Sequence, residues 1–327
     1  MSAPLRTRHR LGVVLALTGL LALAGCGSAG VYADTVVPSP SRTATAAPSP
    51  SPSTSPPACA NPLASYAPAA TDPLAVPSGS TMARIKARGR LIAGVSADTL
   101  LLGARNPVTG RIEGFDISML QAVSTALFGS PDHVELKVIT AGQRIPSLVD
   151  GSVDIVARAF TINCARWQQI AFSTEYYRAG QKVLVPLGSP ARSMSDLKGK
   201  RVCAPNSSTS MDKLRTFTGV IPVGSDTHTG CLVLFQQGKV DAITGDDTVL
   251  AGLVAQDPYA RVVGSAFTAE PYGLGISRAH PDLVRYVNAV LEKMRTDGQW
   301  AAAYNTWLRS ALGPAPTPPA PVYGRQP

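Results

Sequence analysis

"RIPSLVDGSVDIVARAFTINCARW", Arg144 to Trp167, places three kinds of segment end to end. "RIPSLVDG" reads as a short helix closed by Gly151. "VDIVARAF" is an apolar, β-branched run that reads as a buried strand. A threonine, an asparagine, a cysteine and an arginine follow it at once. Helix, strand and polar turn in that order make the unit of a mostly parallel α/β architecture. In open α/β sheets, the residues just past a strand's carboxyl end face the ligand crevice. Thr161 to Arg166 stand at such a place.

The same rhythm extends both ways. "RLIAGV" is β-rich. "GFDISMLQAVSTALFG" has helical spacing at Ile117, Leu120, Val123 and Leu127, with Asp116 expected to cap its start and Gly129 its end. "VELKVI" alternates. Beyond the opening stretch come "KRVCA", "STSMDKLRTF", "VIPVG", "CLVLFQQG", "VDAITG", "DTVLAGLVAQ" and "ARVVG". After "YGLGIS", two long helical stretches close the folded part, "PDLVRYVNAVLEKMR" and "GQWAAAYNTWLRSAL".

The ends of the chain have a different character. Arg6, Arg8 and Arg10 precede a short apolar run, Leu11 to Ala24, which is too short to span a bilayer comfortably and reads as an export signal over residues 1–25. "LAGC" ending at Cys26 is similar to a bacterial lipobox, so Cys26 is the expected lipidation site. Residues 26–80 are rich in Pro, Ser, Thr and Ala and are expected to form a disordered tether. Residues 313–327 read as a second, Pro-rich tail.

The formal charge is +9, but the basic residues are scattered and make no cluster interleaved with aromatics, so no nucleic-acid partner is expected. Of five cysteines, four remain after Cys26: Cys59, Cys164, Cys203 and Cys231. An even number in an exported chain suggests two disulfides, for which three connectivities are open. With no CxxC pair, neither a metal nor a cofactor is expected. The chain lacks GxSxG, HExxH, Walker and GxGxxG motifs, which argues against an enzyme.

Taken together and in order, "GRLIAGV", "GFDISML", "GSVDIV", "FTINCARWQQIAFSTEYY", "SDLKGKRVCAPNSSTS", "FQQGKVDAITGDDTVLAGLV", "YGLGIS" and "GQWAAAYNTWL" resemble the polar amino-acid-binding family of extracellular solute-binding proteins. Within it the chain is most similar to actinobacterial glutamate-binding lipoproteins. The resemblance implies a two-lobed, periplasmic-binding-protein-like (type II) α/β fold with the ligand in the interlobe cleft. It also implies a discontinuous first lobe, residues 81–185 and 271–312, and a second lobe, residues 186–270. The crossings are expected near residues 183–187 and 267–272.

The resemblance assigns site roles as well. Thr161 and Arg166 hold the substrate's α-carboxylate, the arginine through a charge-assisted pair. Ser208 and Thr209, at a helix start, complete that anion site. Ser207 stands where the family has glycine. Asp246 takes the α-ammonium group, and Asp247 caps the following helix. Arg144, His228 and Arg158 are the cations expected near an acidic side chain, with Ala159 counted in the same binding set. The aromatic pair that many members carry after the first strand is replaced here by "VSADTLLLGARNP". The expected pairing is Cys203 with Cys231, on a core strand and a nearby helix, and Cys59 with Cys164. The whole then reads as a monomeric, lipid-anchored receptor on the extracytoplasmic face of the cell membrane. It would bind glutamate or aspartate and serve an ABC importer's membrane subunits or, otherwise, a membrane sensor protein. Glutamine or asparagine is the alternative ligand.

Overall fold

The structure is a computed structural model that describes residues 59–327. The export signal, Cys26 and the tether as far as residue 58 lie outside the described residues.

The chain starts the first lobe with α1 (Thr81–Arg88) and β1 (Leu91–Val95), then a small antiparallel sheet of β2 (Asp98–Thr99), β3 (Gly103–Arg105) and β4 (Ile112–Glu113). There follow α2 (Phe115–Phe128), β5 (Val134–Val138), α3 (Arg144–Val149), β6 (Ile155–Ala157), α4 (Cys164–Trp167) and β7 (Ala171–Phe172). The chain leaves through β8 (Tyr177–Ala179). The second lobe runs β9 (Gln181–Pro186), a 3-10 turn (Met194–Leu197), β10 (Arg201–Pro205), α5 (Thr209–Leu214), β11 (Ile221–Ser225), α6 (His228–Gln236), β12 (Ala242–Asp246), α7 (Asp247–Gln256) and β13 (Ala260–Val263). The chain returns through β14 (Glu270–Tyr272) to β15 (Gly275–Ile276), α8 (Pro281–Thr296), α9 (Gln299–Trp307) and α10 (Arg309–Leu312).

Each lobe holds one five-stranded sheet, ordered β5-β1-β6-β15-β7 in the first and β11-β10-β12-β9-β13 in the second. In the first, β5, β1 and β6 run parallel, and β15 is antiparallel to both its neighbours. β8 and β14 pair antiparallel with each other and belong to neither sheet, so they form the hinge ribbon. The two crossings therefore fall at residues 179–181 and 263–270. The first comes earlier than its expected place, because β9 pairs with β12 and β13 along its whole length. Its alternating side chains would suit either lobe; only its partners decide.

That alternation builds the second lobe's core. Val183 and Val185 on β9 join Val202 and Ala204 on β10 in one apolar cluster. Leu184 and Cys203 point to the opposite face and join Cys231 and Leu232 of α6. Successive strand side chains alternate between faces, and this is why Cys203 meets Cys231. The two are joined as a disulfide with Cα atoms 5.6 Å apart. The start of α2 depends on a glycine. Gly114 has φ 145°, and a Cβ there would lie 2.3 Å from the Leu102 carbonyl. The helix takes no side-chain cap, so Asp116 is not the expected capping residue.

Two segments expected to be unstructured are folded onto the first lobe. Ser65 and Tyr323 form a parallel bridge, and Ser65 N–H donates to the Val322 carbonyl at 2.9 Å. Asn288 donates to Ser65 Oγ and to the Tyr66 carbonyl, while Tyr66 packs edge-on against Trp167. The Arg325 guanidinium lies 4.0 Å over the Trp167 ring and donates to the carbonyls of Asn61 and Ala64. Cys59 is joined to Cys164. Composition over a long window hides such anchors. A few residues, here Tyr66, Tyr323 and Arg325, suffice to fix a Pro-rich strand.

The Cys203–Cys231 crosslink closes a short loop, for which about 2–4 kcal/mol of stabilisation is typical. The double variant C203A/C231A is expected to lose about that much in urea unfolding, with a steeper denaturant slope because the uncrosslinked denatured chain exposes more surface.

Candidate functional site

The lobes meet over a cavity of about 30 Å³, enough for about two waters. The lobes touch across it. Arg144 Nη2 donates to the Ser207 carbonyl at 3.2 Å, and Thr229 Oγ1 donates to the Asp98 carbonyl at 2.9 Å. An amino acid reaches this site only after the lobes part.

Three guanidiniums converge from the first lobe. Arg144 is the first residue of α3 and is buried. Its Nε donates to the Ala141 carbonyl at 2.9 Å and its Nη1 to that of Ala159 at 3.2 Å. Burial, then repulsion from Arg166 and Arg158, holds its pKa well below the ordinary arginine value. Arg158, just past β6, donates through Nε to the Ile139 carbonyl at 2.8 Å. Its Nη atoms make no hydrogen bond among the described residues, and it lines the cavity. Arg166 lies in α4, a short helix capped by Asn163, and its Nη1 donates to the Thr161 carbonyl at 2.6 Å. Burial pulls its pKa down to about 10, with Glu270 and Asp246 acting the other way. Phe160 lies between two of these cations, 4.5 Å from Arg144 and 4.9 Å from Arg166. Such contacts stabilise a partly desolvated guanidinium.

Ala159 has φ 41°, a left-handed conformation that is costly for a residue with a Cβ. The kink aims its carbonyl at Arg144 and its N–H at Asp116 Oδ2, 2.8 Å away. Asp116, with Tyr176 OH donating at 2.6 Å, is therefore a wall of the site. Burial raises its pKa to about 6, although both hydrogen bonds oppose the shift.

From the second lobe, Ser208 is fully engaged as the cap of α5. Its Oγ donates to the Pro205 carbonyl at 2.6 Å and accepts from Met211 N–H at 3.1 Å. Ser207 has φ 57°, a left-handed conformation that suits glycine best. Thr209 faces Thr161 across the cleft at 3.4 Å, and both hydroxyls donate to Glu270 Oε2.

His228 is the first residue of α6 rather than part of a loop. Its Nε2 is buried without a hydrogen-bond partner and lies against Gly245, where a Cβ would come within 2.3 Å. Burial, then Arg158, pushes its pKa down to about 3, so the ring is neutral. Asp246 ends β12. Its Oδ2 accepts from Tyr272 OH at 2.6 Å, and its Oδ1 is buried without a partner. Burial and Glu270 raise its pKa to about 7. Asp247 is not the expected cap: Asp246 holds the N-cap position of α7, and Asp247 is the first helical residue, its carboxylate accepting from Thr248 N–H.

The structure thus brings Arg144, Arg158, Ala159, Ser208, Thr209, His228 and Asp246 to the cavity wall, with Thr161 and Arg166 beside it. Sequence reasoning missed Asp116, Phe160, Glu270 and Tyr272. Only the "EPYG" run at the return crossing marks two of them in the sequence. A lone acceptor, Asp246 Oδ1, stands opposite a group of guanidiniums, an arrangement that matches a zwitterion.

Residues 91–310 match the bacterial extracellular solute-binding proteins, family 3. The chain belongs to this family. Its members are solute-binding receptors. The chain is 33% identical over 231 residues to the ABC transporter glutamine-binding protein GlnH of Bacillus subtilis (strain 168), covering 70% of this chain and 85% of that protein. It is 32% identical over 238 residues to the glutamate-binding protein GluB of Corynebacterium efficiens, covering 69% and 79%. Among solved structures, an ancestral arginine-binding protein bound to glutamine matches with a TM-score of 0.64 at 32% identity, covering 68% of this chain and 98% of that one. The two-lobed type II α/β architecture and a role in amino-acid uptake by ABC transporters follow from these likenesses.

If Asp246 takes the α-ammonium group it must be ionised to do so, and burial raises its pKa to about 7 in the closed cleft. Affinity for an amino acid is therefore expected to rise with pH up to about 7 and to level off above. Below that the loss approaches about tenfold per unit. Calorimetric titrations from pH 5 to 8 check this, with Asp246→Asn expected to bind far more weakly and without the slope.

Proposed function

We propose that the protein is a lipid-anchored, extracytoplasmic receptor that binds L-glutamine and delivers it to the membrane subunits of an ABC importer. The observation that carries the choice of ligand is the balance of buried charge. Arg144, Arg158 and Arg166 are matched by Asp116, Asp246 and Glu270, all buried. A closed cleft that is already balanced favours a ligand of zero net charge, because an extra charge taken out of water needs its own partner. His228 adds to this reading. The ring already bonds the Thr244 backbone, which leaves the unpartnered Nε2 of a neutral imidazole as an acceptor, and an acceptor suits an amide N–H rather than a second carboxylate.

In this reading Arg166 and the start of α5 receive the α-carboxylate, and Asp246 Oδ1 the α-ammonium. Arg158 and His228 meet the side-chain amide. Arg144 is spent mostly on backbone carbonyls. It acts as framework rather than as the reader of a distal group.

Glutamate, placed first by the sequence, remains as a second reading. The open Nη atoms of Arg158 favour it, since they could pair with a distal carboxylate. Titration with the twenty amino acids separates the two. Glutamine is expected to bind at least about tenfold more tightly than glutamate, and the reverse order gives the second reading. Arg166→Ala should abolish binding of both. If glutamate is the ligand, Arg158→Ala strands a buried carboxylate, a loss of roughly 2–5 kcal/mol.

The lipid anchor rests on the "LAGC" run. Cys26→Ser is expected to release the protein into the medium or leave it unprocessed, read by fractionation. Unchanged membrane retention would reject the anchor.

A further inference from the structure

Glu270 lies on the hinge strand β14, yet its side chain is buried where the two lobes meet. Thr161 Oγ1, from the first lobe, donates to Glu270 Oε2 at 2.7 Å. Thr209 Oγ1, from the second lobe, donates to the same oxygen at 2.9 Å. Thr268 Oγ1 donates to the other oxygen, Oε1, at 2.7 Å. One carboxylate of the hinge thus collects hydroxyls from both lobes.

A threonine hydroxyl has a single proton. An ionised carboxylate accepts but cannot donate. While these bonds stand, Thr161 and Thr209 have no proton left for a ligand carboxylate and present only lone pairs. The two residues that the family resemblance casts as ligand donors are occupied by a protein group.

We propose that Glu270 is a cross-lobe positioning residue for ligand binding: it takes the hydroxyl protons of Thr161 and Thr209 and so fixes the first lobe, the second lobe and the hinge in one closed geometry. The ligand's α-carboxylate is then received by N–H groups, those of Arg166 and of the first turn of α5, and the threonines act through Glu270. Thr161 also pairs through its backbone with Tyr272, two residues along β14. The hydroxyl bond is therefore the side-chain half of a contact whose backbone half is already fixed. Thr209 has no such second link to the hinge strand. Its tie depends on Glu270.

This inference rests on the protein being an amino-acid receptor but not on glutamine being the amino acid. The test is a double-mutant cycle between Thr209 and Glu270, read by calorimetry. The probe is L-glutamine, or the amino acid that binds most tightly in the panel titration if glutamine gives no heat. That replacement would sink the glutamine reading and leave the cycle intact. Thr209→Val is expected to weaken binding about tenfold in the wild-type background. In the Glu270→Ala background it is expected to change binding less than about twofold, since the acceptor is gone. Glu270→Gln keeps a carbonyl acceptor for both hydroxyls and is expected to bind within about threefold of wild type. Additive effects of Thr209→Val and Glu270→Ala would overturn the proposal, because they place the hydroxyl on the ligand. So would a loss in Glu270→Gln as large as in Glu270→Ala. If Glu270→Ala fails to fold, the cycle runs with Glu270→Leu, which fills the site without accepting. If that variant also fails, Glu270→Gln binding decides by the same criterion.

Discussion

Three guanidiniums buried within one cleft form the constraint around which the rest of the protein is arranged. An unpaired buried cation is very costly, and Arg158 and Arg166 stand close enough to Arg144 to lower its pKa further than burial alone does. Every unusual feature nearby answers this cost. Ala159 adopts a strained backbone to turn a carbonyl toward Arg144. Phe160 offers a ring face to two of the cations at once. Asp116, far from any helix-capping role, sits within reach of Arg158's field. Asp246 counters Arg166 from the second lobe and Glu270 from the hinge strand.

Asp246, from the second lobe, meets the first lobe's cations in the shut cleft. Its raised pKa and the lowered pKa values of Arg144 and Arg166 mean that burial disfavours the charged forms more than their attraction restores, so closure of an empty cleft has an electrostatic cost. The same arrangement leaves Asp246 Oδ1 and the Nη atoms of Arg158 without protein partners. These are the groups a zwitterion of polar side chain can satisfy. Elsewhere the polar groups of the cleft are largely engaged: Ser208 caps its helix and Arg144 holds backbone. Few polar atoms of the cleft are thus left without a partner among the described residues.

Much of this was legible in the sequence. Period-two runs such as "KRVCA" gave the strands, and the alternation in β9 and β10 told which side chains share a face. The family motifs pointed to Asp246, which lines the cavity, and to Arg166, which lies beside it. What sequence could not provide were relations set by tertiary geometry. The membership of β9 depended on its pairing partners. Asp116 looked like a cap, because acidic residues near a helix start usually are, and nothing local revealed that Tyr176 and Ala159 would claim it. Glu270 sits in an ordinary-looking hinge strand more than sixty residues from Thr209 and more than a hundred from Thr161. The fold of Cys59 to Ser80 against the first lobe was concealed by composition, which averages over the few side chains that matter.

The strap formed by Ser65, Tyr66, Tyr323 and Arg325 has a mechanical consequence. Residues 59–66 and 322–325 are sewn to the first lobe, while α10, just before the C-terminal tail, lies against α7 of the second. A pull applied at Cys59 or at the carboxyl terminus is borne first by Trp167, Asn288 and the Cys59–Cys164 link, all on the first lobe. The base is thereby braced before any load reaches the hinge ribbon or the seam between α10 and α7. Tension at the ends of the chain and movement of the second lobe are in this way kept apart.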